Sequence, residues 1–205
     1  MVRPRFAKLS PTLQQAILAA ALEEFAAHGF HDASLNRVIE AAGISKGSMY
    51  YYFDGKEDLY AHVVRVELDQ LLARAGPFDS PADSDPDAFW SALENYYLQL
   101  MSALETAPQL AALIRGWIAA SATPAMQQIQ QEMAKAVVPW MERVLADGQR
   151  NGAVRTDLPS GLLIAVAAGM GQAMDTWLLT QPPNAADLPR LINALVGMIR
   201  RALQP

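Results

Sequence analysis

Between Ser34 and Phe53 the chain reads SLNRVIEAAGISKGSMYYYF, two short helical patterns parted by Gly43 and Ile44. Ser34 opens the first, whose apolar positions Leu35, Val38, Ile39 and Ala42 share one helical face. Ser45 stands where it can cap the second, which runs to about Phe53. A short helix, a glycine-containing turn and another short helix form a helix-turn-helix, whose second helix can enter the major groove of DNA. Helices this short are marginal alone, so the motif must be packed on helices to either side.

The flanking sequence supplies them. Ser10 or Thr12 can cap a first helix, Pro11 suits its first turn, and Leu13, Ile17, Ala21 and Phe25 recur every fourth residue. Gly29 is placed to end it, with Phe30 folding back. Asp54 and Glu57 have the spacing of a capping box, opening a long fourth helix through Leu59, Val63, Val66 and Leu71. The proline-rich AGPFDSPADSDPDAF at 75–89 is the one clear shift in composition. Beyond it, helices are expected at 86–106, 108–121, 124–147, 159–181 and 187–203. No convincing alternating run suggests a strand. The expected fold is all-α with about nine helices: an N-terminal three-helix unit and a larger C-terminal bundle, divided functionally into 1–58 and 59–205.

Three consecutive tyrosines cannot share one face of a helix. A helical wheel from Ser45 groups Lys46, Gly47, Tyr50 and Tyr51 on one side, with Met49, Tyr52 and Phe53 toward the other. Tyr52 is therefore expected in the core, and Tyr50 and Tyr51 outside. That outer surface suits DNA. Gly47 lets the backbone approach closely. Lys46 offers a charge to phosphate or guanine, and the phenols can donate to phosphate or lie against a thymine methyl. Ser34 and Lys56, at the starts of the second and fourth helices, are placed for phosphate. Lys46, Ser48, Tyr51 and Asn36 are the candidates for reading bases.

The net charge of −5 over 205 residues argues at first against a nucleic-acid partner. Its distribution changes this. Residues 1–65 carry seven Lys/Arg and seven Asp/Glu, so the acidic excess lies entirely beyond them. The chain has no cysteine, which excludes disulfides, thiolate metal sites and cysteine nucleophiles. No signal peptide is read, and the most apolar run, GLLIAVAAGMG at 161–171, is about half the ~20 residues needed to cross a bilayer. The expectation is a soluble cytoplasmic protein.

From about Thr12 to Val64, with FAAHGF, SLNRVIEAAGISKGSMYYYF and the following KEDL, the sequence resembles the TetR family of bacterial transcriptional regulators. The resemblance implies a homodimer reading a palindromic double-stranded DNA operator, most commonly as a repressor. It also implies a small-molecule effector pocket in the C-terminal bundle and a dimer interface on the last two helices. Carried over residue by residue, Ser34, Ser45, Lys46, Gly47, Ser48, Tyr50, Tyr51 and Lys56 match positions that commonly touch DNA. No cofactor is implied.

Other motifs lead elsewhere and are weaker. GISKG at 43–47 matches the G-x-S-x-G of a hydrolase elbow, but that turn needs a preceding strand, and RVIEAA is helical. His28 and His31 fit a helix end better than a metal pair, and His62 reads as a packing residue. No histidine or cysteine follows His62, so an active site would have to use carboxylates, lysine or tyrosine alone. The alternative function is a small-molecule-binding or enzymatic helical protein that keeps its N-terminal unit as an interaction module.

In the bundle, Trp90, Tyr97 and Met101 line one side of the helix at 86–106, and Met133, Trp140 and Met141 recur on that at 124–147. With Trp117 and Trp177 they are the candidates for an apolar effector pocket, although such stripes also build ordinary cores. Arg115 and Asp175 are charges inside apolar segments, and each needs solvent or a partner. Gly161, Ala165, Gly169 and Ala173 form a ladder of small residues that permits close helix approach. The last helix is apolar on more than one face, so self-association through this ladder and through Leu191, Leu195 and Ile199 is expected.

Overall fold

The computed structural model describes residues 4–81, 85–119, 124–184 and 186–205, with the backbone alone at 117–119 and 124–136. Among the described residues there are nine α-helices: α1 Pro11–Asp32, α2 Leu35–Ala41, α3 Lys46–Tyr52, α4 Lys56–Ala75, α5 Pro86–Glu105, α6 Pro108–Ala119, α7 Pro124–Arg150, α8 Ser160–Thr180 and α9 Leu188–Leu203. A single 3₁₀ turn, Phe6–Lys8, precedes them. The all-α reading and the order of helices hold. The chain forms two compact units, residues 1–71 with 104–131, and residues 72–103 with 132–205.

The first unit is built on α1. Ser10 caps it, accepting from the Leu13 amide, and Ile17, Ala21 and Phe25 are buried along its inner face. Gly29, at φ 68° and ψ 177°, is non-helical and so ends the regular run of α1, as expected, with a separate helical turn following to Asp32. Phe30 is buried behind that kink, as expected. Tyr60 of α4 packs edge-on against Phe25 and Phe30, with centroids 4.9 and 5.2 Å away. Its hydroxyl donates to the Leu113 carbonyl of α6 at 3.3 Å, and α6 packs along α1 through the buried Leu110 and Leu113. Burial is the sole cause that pushes the Tyr60 phenol up to about 12.

The second unit surrounds Phe89 and Trp90 of α5, Leu145 of α7, Leu163 of α8, and Ile192, Val196 and Leu203 of α9. The Arg155 amide donates to the Leu203 carbonyl at 2.8 Å, tying the α7–α8 connection to the end of α9. The amide group of the buried Asn151 donates to Ser80 and to the Pro81 carbonyl, fastening the proline-rich segment. Helix α8 itself runs 21 residues with a mean hydropathy of 1.4 over its most apolar window, only 17% of which is buried. By length and composition alone the helix is long and apolar enough to cross a membrane, longer than the run at 161–171 suggested, and it leaves a wide uncovered face. Leu162, Val166 and Trp177 on α8 and Met198 on α9 are exposed. All four members of the small-residue ladder, Gly161, Ala165, Gly169 and Ala173, lie on the exposed side.

Candidate nucleic-acid interface

Helix α2 ends in a glycine motif that sets the direction of α3. Gly43 has φ 65°, its amide donates to the Glu40 carbonyl, and the Ile44 amide donates to the Ile39 carbonyl, both at 3.1 Å. Two carbonyls left over at the helix end are thereby satisfied within three residues. Ser45 then caps α3, accepting from the Ser48 amide at 3.0 Å, and the two hydroxyls are hydrogen bonded at 2.8 Å. On the inner side of α3, Met49 and the following Phe53 are each 1% exposed.

Tyr50 and Tyr51 lie outside as the wheel requires, whereas Tyr52 stops short of the core expected for it. Tyr50 and Tyr51 are 45% and 48% exposed, on the side that also carries the exposed Lys46 and Gly47. Tyr52 is half-buried, edge-on to Phe6 at 6.2 Å. A Cβ built on Gly47 would meet only the Ser45 hydroxyl, at 3.8 Å. Nothing inside the protein therefore demands glycine there. Asn36 of α2 is exposed, and Ser48 and Ser34 are half-buried.

Two expected contacts take a different form. Lys56 is only half exposed: its ammonium donates to the His31 carbonyl at 2.8 Å and the Ala33 carbonyl at 3.1 Å, and lies 5.0 Å from the Phe30 ring centroid. Where α1 stops at Asp32 its terminal carbonyls have no helical donors, and Lys56 serves those of His31 and Ala33 with two of its three protons. The capping box also shifts by one residue. The Asp54 amide donates to the Asp58 carboxylate at 3.1 Å, so Asp58 takes the role expected of Glu57.

Sequence reasoning missed the pair that fixes α2. Glu24 of α1 is 8% exposed and receives Arg37 of α2 through both carboxylate oxygens, with contacts of 2.6 to 2.9 Å. It also accepts the Ser34 amide at 2.7 Å, so the start of α2 is held by a distant carboxylate, while the Ser34 side chain makes no capping bond. The Arg37 hydrogen bond is the main reason that the Glu24 carboxyl lies below its ordinary range; burial opposes it, and the Ser34 amide adds to the lowering. His28 stands 3.7 Å from the same carboxylate.

The bundle candidates fall into distinct settings. Trp90 is 4% exposed and edge-on to Phe89, and Met101 packs half-buried against the same core. Trp140 stacks on Tyr96 at 5.9 Å, and Met141 is half-buried nearby in sequence. Tyr97 donates to the carboxylate of Asp175, which answers where that charge finds a partner. Arg115 is exposed. The side chains of Trp117 and Met133 lie outside the described residues. Trp177 is 40% exposed, on a shallow apolar groove of about 210 Å³ lined by Met170, Ala173, Met174, Trp177, Leu195 and Met198. Leu191 and Ile199 are half-buried, and Ile199 also packs against the core of the second unit.

The fold and the capped, glycine-bearing α3 define a helix-turn-helix DNA-binding regulator. Residues 17–63 match the family described as bacterial regulatory proteins, tetR family. The HTH-type transcriptional regulator RutR of Escherichia coli (strain K12) is 29% identical over 188 residues, covering 92% of this chain and 80% of RutR. Among solved structures, the fatty acid degradation regulator FadR from Bacillus halodurans has a TM-score of 0.71 at 20% identity, covering 93% of this chain and 99% of that one. FadR from Bacillus subtilis in complex with stearoyl-CoA has a TM-score of 0.68 at 20% identity, covering 90% and 96%. Residues 17–63 thus carry the TetR-family sequence pattern, and over most of its length the chain is similar to transcriptional regulators.

Proposed function

We propose that this regulator works as a homodimer that presents two α3 helices to successive major grooves of a palindromic operator, and that a small-molecule effector releases it. The observation that carries the DNA side is the single outward surface of Lys46, Gly47, Tyr50 and Tyr51 on a helix anchored by Met49 and Phe53. Ser45 and Ser48 edge this surface, and Asn36 lies on the neighbouring helix. Ser34 and Lys56 stand at the starts of α2 and α4; the Lys56 ammonium keeps one proton for phosphate after serving two carbonyls. Residues 1–58 thus supply the reading function, and 59–205 the effector and dimer functions.

The dimer is supported by α8. A helix with Leu162, Val166 and Trp177 exposed over a ladder of small residues needs a cover, and a second copy supplies one through the same face. Leu195 and Met198 extend that face onto α9. For the effector, the aromatic and methionine side chains of α5 and α7 offer an adaptable apolar lining, with the Tyr97–Asp175 pair as a polar anchor. That a regulator of the same fold is solved with stearoyl-CoA supports a small-molecule role for the bundle. The effector must favour the protein conformation that does not fit the operator, since equal affinity for both would release nothing. Repression follows family habit.

The direct test is fluorescence anisotropy with the promoter fragment beside the protein's own gene. A salt-dependent, sequence-preferring complex that is lost on combining Lys46→Ala with Tyr50→Ala is expected; retention of affinity by that double variant would exclude α3 as the reader. A thermal-shift screen of metabolites then identifies the effector, because a ligand of the folded state raises the melting temperature.

A further inference from the structure

The segment ahead of α1 is held against the reader helix. Phe6, in the 3₁₀ turn, is 3% exposed and sits in an aromatic socket: the Phe53 centroid is 5.0 Å away, His62 5.2 Å and Tyr52 6.2 Å. Two of these rings come from the end of α3 and one from α4. Anchoring at Phe6 fixes the residue before it. The guanidinium carbon of Arg5 lies over the exposed Tyr51 ring, 4.3 Å from its centroid, while Arg5 itself remains exposed.

We propose that Arg5 is a DNA-backbone contact, held by Tyr51 so that its guanidinium meets a phosphate beside the groove that α3 enters. A guanidinium has five N–H donors in its plane, and among the described residues none of those of Arg5 makes a hydrogen bond. Among the described residues Arg5 has no carboxylate within ion-pair distance, whereas Arg37, Arg150, Arg155 and Arg200 each have one. A cation placed on the most exposed ring of the reader helix, without an anionic partner of its own, is complementary to phosphate. It also supplies positive charge where the first 65 residues have no net excess. The arrangement spends little entropy on binding, because the ring and the Phe6 anchor already restrict the arm. The placement rests on reading α3 as the DNA-facing helix, and it adds a residue from outside the helix-turn-helix to that surface.

The test measures salt-dependent affinity of the full-length wild type, Arg5→Ala and Arg5→Lys for two duplexes: the fragment upstream of the protein's own gene, and a 30-base-pair duplex of unrelated sequence. Each phosphate contact contributes about 0.9 to the slope of log affinity against log salt, so a dimer losing two should fall by roughly 1.8. Arg5→Ala should weaken binding to both duplexes by a similar factor, on the order of tenfold at low salt, with the melting temperature unchanged. Arg5→Lys should restore most of the slope. If the wild type binds and Arg5→Ala matches it in affinity and slope, the backbone contact is excluded while the reading of α3 stands. Equal loss in Arg5→Ala and Arg5→Lys, with the slope unchanged, would show instead that Arg5 only positions Tyr51. A wild type that gives no salt-dependent complex with either duplex would remove the DNA reading itself.

Discussion

Tyr97 of α5 donates its hydroxyl proton to the carboxylate of Asp175 on α8, across 78 residues of sequence. Burial is the main cause that raises the Asp175 carboxyl above its ordinary range; the Tyr97 hydrogen bond pulls the other way. Burial likewise leads the causes that push the Tyr97 phenol far above its usual value, with the neighbouring charge adding to it. The folded chain therefore holds the Asp175 proton to higher pH than the unfolded chain does. This contribution to stability is full below the ordinary aspartate range and declines as pH rises through the raised folded value. Asp175→Asn, which keeps an acceptor for Tyr97, should be more stable than wild type at neutral pH and lose that decline. Tyr97→Phe should cost about 1–3 kcal/mol at neutral pH by leaving the carboxylate poorly satisfied. Thermal melts from pH 3 to 8 check both.

Gly47→Ala separates folding from reading. The added methyl meets only the Ser45 hydroxyl at 3.8 Å, and alanine is favoured over glycine in a helix by roughly 1 kcal/mol. The variant should melt at the same or a higher temperature yet bind operator at least tenfold more weakly. Calorimetry and anisotropy on one preparation test this, and unchanged affinity would mean that no DNA approaches Gly47.

Gly148 behaves in the opposite way. A Cβ there would stand 2.6 Å from the Val154 side chain and 2.8 Å from the Phe89 ring. Both neighbours are at most 3% exposed, so neither has room to move aside. Gly148→Ala should destabilise by about 1–3 kcal/mol through overpacking, despite its better helix propensity. Urea denaturation gives the number.

Glu24→Gln should loosen the start of α2, where Ser34 and Asn36 stand, while α3 keeps its own Ser45 cap. The substitution removes the charge that receives Arg37 and weakens the acceptor of the Ser34 amide, at a cost of about 1–3 kcal/mol. Because the Glu24 carboxyl is held below its ordinary range, the wild type keeps this contribution above that range and loses it as pH falls through the lowered folded value. The stability difference between variant and wild type should therefore shrink toward low pH.

His62, half-buried beside Phe6 and Phe53, is held below the ordinary imidazole value, first by burial and then by Arg65, with Asp58 opposing. The unfolded chain takes up this proton first as pH falls. Stability should thus decrease as pH drops through about 6.5, the ordinary value, and level off below the folded value. In His62→Phe that portion of the pH dependence should be absent from thermal melts.

What was legible in the sequence was whatever a helix repeats locally. The wheel separated Tyr50 and Tyr51 from Tyr52, and the serine and glycine positions gave the caps of α1 and α3 and the turn at Gly43. Contacts set by tertiary approach were not legible. Glu24 and Arg37 are 13 residues apart across the kink at Gly29, and Lys56 reaches carbonyls 23 and 25 residues back. Periodicity carries no record of such distances. Nor does it tell a core tryptophan from a surface one: Trp90 and Trp177 sit in similar apolar helical patterns, yet one is 4% exposed and the other 40%.

That difference gives the protein its own optical reporter. Trp90 is enclosed beside Phe89 and should emit at short wavelength whatever the concentration, whereas Trp177 lies open among the thioethers of Met170, Met174 and Met198. Whatever settles on α8 will dry that indole and shift its emission to the blue. Serial dilution in a fluorimeter, with Trp177→Phe as the blank, then follows association of the chain with no label attached.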